Sequence, residues 1–157
     1  MRGAVAVIAA VMAACPPAGF AQGNAGDFSG RLSGNGGNAQ LGIRQAPVQD
    51  EIALSCRFGI ECLEAEGCVA GGFSATLDGR AGGMDAQSMT VQAELAFEAG
   101  TVEMLGVMDS GAMSLSGGPF EARHLLTRAP DGATRYTVHY TDGPMVVSYL
   151  GQCEARQ

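Results

Sequence analysis

The chain has no tryptophan and no lysine: its nine basic residues are all arginines, set against sixteen acids. Nucleic acids and anionic membrane surfaces call for a clustered basic patch, and this balance argues against both as partners. It permits a basic protein partner. No C-x2-C pair and no H-x3-5-H spacing occurs, and His124 and His139 stand fifteen residues apart. Structural zinc sites use such tight pairs, and thioredoxin-like redox chemistry needs C-x-x-C, so neither metal nor cofactor is implied. No apolar run reaches the roughly 20 residues that cross a bilayer as a helix. Amphipathic stretches of three helical turns are absent too. "IECLEAEG" is the one helix-favouring segment, with a single turn expected there.

What is present begins with an export signal. Arg2 supplies a positive start, Ala4 to Ala14 form an apolar run, and Pro16-Pro17 break it ahead of the small residues Gly19 and Ala21. That order reads as a signal peptide over residues 1–21. The rival reading is a loose lipobox, "MAAC", with Cys15 as a lipid-bearing N-terminus. Either way the chain is expected in the periplasm or outside the cell, with no transmembrane segment in its mature form. Loss of Arg2 with the leader leaves eight arginines against the sixteen acids. Residues 22–48 are rich in Gly, Asn, Ser and Gln, and their few apolar residues are too sparse for a core. They read as a flexible tether before one domain over 49–157.

From Asp50 onward the hydrophobic period is two. Ile52, Leu54, Cys56 and Phe58 alternate with Glu51, Ala53, Ser55 and Arg57; Met89, Val91, Ala93, Leu95 and Phe97 alternate with Thr90, Gln92, Glu94 and Ala96. Such alternation marks half-buried strands. Residues 72–77, 101–108 and 112–117 read as further strands. The clearest part is "FEARHLLTRAPDGATRYTVHYTDGPMVVSYLGQC". Pro130 and Gly132 suit a type I turn with a G1 bulge, and Asp142-Gly143 suits a second hairpin, loosened to four residues by Pro144. Pairing across these turns sets His124 opposite Val138, Tyr136 opposite Tyr149 and Tyr140 opposite Met145. One face then carries Phe120, Ala122, His124, Leu126, Tyr136, Val138, Tyr140, Met145, Val147 and Tyr149. The other carries Glu121, Arg123, Thr127, Arg135, Thr137, His139 and Ser148 toward solvent. The fold class is all-β: a small antiparallel barrel or sandwich of about seven to eight short strands.

Four cysteines remain once Cys15 is set aside, an even number in an oxidising compartment. Cys56 and Cys153 both continue the apolar phase of their strands, so they are expected to join the chain ends across the core. Cys62 and Cys68 then close the acidic loop "CLEAEGC". Glu61, Glu64 and Glu66 on that loop are binding candidates, for a cation or a basic partner, though they lack the residue order of an EF-hand loop.

"GVMDSGAM", Gly106 to Met113, resembles the D-[ST]-G-A element of retropepsin-like aspartic proteases. The resemblance implies a small hydrolase in which Asp109 shares a proton with a twin carboxylate, supplied here by a second copy of the chain. Asp, Ser and Gly are also turn formers, and strand-like segments flank them. Met89, Met104, Met108, Met113 and Met145 read as core filling or as the lining of a soft apolar pocket. The leading expectation is a secreted, disulfide-stapled module that binds a ligand or partner without catalysis. A hydrolase using Asp109 or a histidine, and an apolar-ligand carrier, are the alternatives.

Overall fold

The computed structural model describes residues 42–64, 66–143 and 145–156. The expected signal peptide with Cys15, most of the expected tether, and Pro144 lie outside them. Among the described residues eight strands follow in chain order: β1 (Val48–Leu63), β2 (Gly67–Gly83), β3 (Ser88–Phe97), β4 (Gly100–Asp109), β5 (Ala112–Gly117), β6 (Ala122–Arg128), β7 (Ala133–Tyr140) and β8 (Met145–Ala155). Each pairs antiparallel with the next and β8 returns to β1, so the sheet closes as a barrel rather than splitting into a sandwich.

Side-chain alternation makes this closure favourable. The inward set, including Ile52, Leu54, Leu77, Val91, Leu95, Met104, Leu115 and Leu126, fills the barrel with aliphatic carbon. Burying each leucine contributes about 1.5–3 kcal/mol. Met104 and Met113 belong to this filling and are buried. The outward set is charged at Glu51, Arg57, Arg80, Glu94, Glu103 and Arg135, which are exposed. Barrels that face lipid carry the reverse pattern. Tight curvature brings neighbouring backbones close together. A Cβ at Gly106 would collide with the carbonyl oxygen of Ser114, and one at Gly151 with that of Arg57. Glycine is what lets the sheet bend there.

The expected register of the last strands is the one observed: His124 faces Val138, Tyr136 faces Tyr149 and Tyr140 faces Met145. In the turn between β6 and β7, Gly132 has φ of 91° and donates its N–H to the Ala129 carbonyl at 3.0 Å. Both disulfides form, Cys56–Cys153 and Cys62–Cys68. Cys56 and Cys153 are direct ladder partners with Cα atoms 4.0 Å apart. Their bond therefore staples the seam between first and last strand instead of crossing the core.

Other details differ from the sequence reading. "IECLEAEG" is not a helical turn: β1 runs on to Leu63 and turns directly into β2. The two strands are 16 and 17 residues long, far from short, because the disulfide-stapled hairpin continues the barrel wall upward. Phe120 is 78% exposed because it falls in the loop before β6. Tyr140 and Met145 flank the last turn at the barrel end and stay exposed. Thr137 is buried, its hydroxyl 3.1 Å from that of Ser148. Within the tether assignment, Gly42–Arg44 form a short helical turn, and Ile43 is buried against Gly82, apart from the barrel core.

Candidate functional site

Asp109 ends β4 and pairs with Ala112, so only Ser110 and Gly111 connect the strands. Their φ values are 50° and 83°. Positive φ at both central residues is the signature of a type I′ hairpin turn. Ser110 donates its hydroxyl to Asp109 Oδ1 at 2.8 Å and its N–H to the Gln87 carbonyl at 2.8 Å. The Asp-Ser-Gly element thus lies exposed at one barrel end, remote from both histidines.

His124 is buried and its Nδ1 lies 2.5 Å from Tyr136 Oη. Burial, and then the neighbouring Arg123 charge, hold the imidazole below its ordinary range; burial foremost pushes the Tyr136 phenol above its own. Phenol and imidazole are both neutral at pH 7, so the tyrosine donates and Nε2 keeps the ring proton. His139 is exposed and pairs across the ladder with Arg123. Among the described residues no group of three or more His, Cys, Asp or Glu could hold a metal ion, and no helix is long and apolar enough to cross a membrane.

The end of the barrel near this His–Tyr pair is its aromatic mouth. Phe73 packs on Tyr149 with centroids 4.8 Å apart, on Phe97 at 5.8 Å and on Tyr136 at 5.7 Å. Phe73, Phe97 and Tyr149 are only half-buried, unlike the aliphatic layers below. The β1 ladder shifts register between Phe58 and Ile60. Before the shift, even-numbered residues face the core. Beyond it Glu61 pairs with Tyr149, which packs on the core, and Ile60 turns outward to 44% exposure. The irregularity thereby aims a carboxylate over the mouth. Burial, then Glu61, then Tyr140 raise the Tyr149 phenol above its ordinary range.

The hairpin above the mouth has one unpaired side. β3 pairs with β2 only from Gly82 to Ala75. Among the described residues nothing pairs with the other edge of β2 from Gly67 to Ser74. Cys62 and Cys68 face each other with Cα atoms 4.0 Å apart, the close spacing of a pair that exchanges no backbone hydrogen bonds. The N–H and C=O of Cys68, and by alternation those of Ala70, therefore point away from β1 toward the open edge.

No family model, curated protein or solved structure matches this chain.

Of the three glutamates, Glu61 faces the mouth. Glu64 accepts the Val146 N–H at 3.2 Å and ties the hairpin tip to β8. Glu66 is exposed and donates its N–H to Leu63 in the turn. A separate recess of about 630 Å³ lies on the outer wall, where Gln92, Leu105 and Ser116 are paired neighbours across β3, β4 and β5, and it extends past the end of the β4–β5 ladder to Thr101 and Pro119. Sequence reasoning found the acidic loop and placed Phe97 and Tyr149 on core faces, but did not bring them together with Phe73 at one end of the barrel.

Proposed function

We propose that this chain is an exported, non-catalytic module that binds a protein partner at the mouth of its barrel. The observation that carries the reading is the open edge of β2, Gly67–Ser74, beside the half-buried rings of Phe73, Phe97 and Tyr149. An unpaired strand edge is a ready acceptor for another strand, and proteins that do not use one usually cover or charge it. Here Val69 on that edge is 63% exposed. Export is supported by the leader-like N-terminus and by two disulfides, which persist in oxidising compartments. The carrier reading asks for interior room, whereas the layers below the mouth are occupied by Leu77, Leu95, Met104, Leu115 and Leu126, each fully buried. The hydrolase reading asks for an Asp109 free of turn duties.

Photo-crosslinking in the producing cell tests the proposal. A benzoylphenylalanine at Val69 is expected to give one defined protein adduct, and the same group at Val107 on the outer wall is expected to give none. A small-molecule adduct at Val69, or protein adducts at Val107 alone, would overturn it.

A further inference from the structure

The mouth is ringed by acids. The four loops at that end each carry at least one: Glu64 and Glu66 between β1 and β2, Glu98 between β3 and β4, Glu121 between β5 and β6, and Asp142 between β7 and β8. Glu61 adds a carboxylate facing inward. Among the described residues two arginines lie near this end on the outer wall: Arg57, exposed and paired with Ser74, and Arg123, which donates to the Gly118 carbonyl at 2.7 Å. A partner approaching the mouth therefore meets a negative field, which selects for positive charge and speeds its association. A second copy of the same acidic hairpin would be repelled.

Gly71 gives the ring a specific contact point. It lies on the open edge between Val69 and Phe73, on the inward face by alternation. A Cβ placed there would sit 3.4 Å from the Glu61 Cβ, in ordinary contact. The Glu61 side chain thus runs beside bare backbone. A strand added to β2 would continue the line of β3, whose pairing stops where Phe97 meets Ala75. The side chain it presents opposite Gly71 would cross the glycine without obstruction and reach the Glu61 carboxylate, with aromatic rings beneath. A cation in that position gains an ion pair and the face of a π-system together.

We infer that the mouth takes an extended basic segment of a partner protein, added as a strand to β2, with an arginine or lysine opposite Gly71 held by Glu61. This rests on the proposed protein-binding role of the mouth and names the chemistry of its partner. Backbone hydrogen bonds at Cys68 and Ala70 supply affinity, and Glu61 with the acidic ring supplies charge selection.

The probe is a synthetic ten-residue peptide of alternating arginine and valine, titrated into the isotopically labelled mature chain with both disulfides formed. The expected result is perturbation of the Cys68 and Ala70 amide resonances, with affinity falling steeply as salt rises. Three variants are each expected to weaken binding at least tenfold. Glu61→Gln removes the charge. Gly71→Lys fills the crossing point with a cation of its own. Ala70→Pro deletes the outward N–H without touching the β1 ladder. All three are placed on exposed or half-exposed positions, and their amide spectra report that the barrel is intact. A glutamate–valine peptide is expected not to bind. Equal affinity for Glu61→Gln and wild type, perturbation confined to the outer wall, or no binding at low salt would overturn the inference. A protein adduct at Val69 combined with no peptide binding would retire the basic-strand chemistry and leave the protein-binding role standing.

Discussion

Removing the Cys56–Cys153 staple should be the most damaging small change to this barrel. The variant is Cys56→Ala with Cys153→Ala, so that no lone buried thiol is left. The bond joins residues 97 apart in sequence. In the chain-entropy treatment, closing a loop of that size costs the unfolded state about 4.7 kcal/mol of conformational freedom, and its loss returns that freedom. The Cys62–Cys68 loop, with a separation of 6, is worth roughly 2 kcal/mol by the same expression. Both sulfurs of the long staple are fully buried in the core, so truncation also removes packing there. Against a total stability on the order of 5–15 kcal/mol, such a loss is large. A domain of this size shifts by several degrees per kcal/mol, so calorimetry should show the melting temperature falling by about 15–25 °C. Cys62→Ala with Cys68→Ala should cost less than half as much. If the long-staple variant melts within about 5 °C of wild type, or the short-loop variant is the more damaged, the reasoning fails. A small loss would mean that the unfolded chain keeps its two ends close without the bond.

Asp109→Asn should change stability by less than about 0.5 kcal/mol, because asparagine can accept the same Ser110 hydrogen bond; loss of a proteolytic activity between pH 3 and 7 would contradict the turn role. Gly111→Ala should cost more, about 1 kcal/mol or above in chemical denaturation, since the φ of 83° suits glycine. Gly106→Ala drives a Cβ into the Ser114 carbonyl, so a loss of several kcal/mol or failure to fold is expected, and a wild-type melting curve would count against the close-approach argument. His124 should make the fold acid-sensitive. Its folded pKa lies below the ordinary 6.5, so the folded state binds fewer protons, and stability is full above that value and is lost as pH falls through it. His124→Phe should flatten the stability profile between pH 7 and 4, and an unchanged slope would remove His124 as its source.

Strand identity was legible because alternation and burial coincide. Ile52, Leu54, Cys56 and Phe58 were assigned inward from period alone and are all buried. The last hairpins were legible to the residue because Gly132 and Asp142-Gly143 fix turn lengths, and turn length fixes register. Barrel closure was not legible. The seam between β1 and β8 joins residues far apart in sequence, and only the expected Cys56–Cys153 pair pointed to its two strands, without telling a closed barrel from a sandwich. The bulge at Gly59 was invisible for a related reason. It inverts the phase of one strand over two residues, which turned Glu61 from an apparent loop residue into one that faces the mouth. Phe120 shows the converse error: its parity matched the core face, but the strand had not yet begun.

The central claim is that the open edge of β2 is where this protein meets its partner. Amide hydrogen exchange, measured on the disulfide-bonded chain alone and then with the crosslinked partner purified and added back, tests it most directly. The free chain should exchange quickly at Cys68 and Ala70 despite their strand geometry, and the complex should slow both by at least tenfold. Protection that appears instead around Thr90, Leu105 and Ser116, on the outer-wall recess, with Cys68 and Ala70 unchanged, would contradict it.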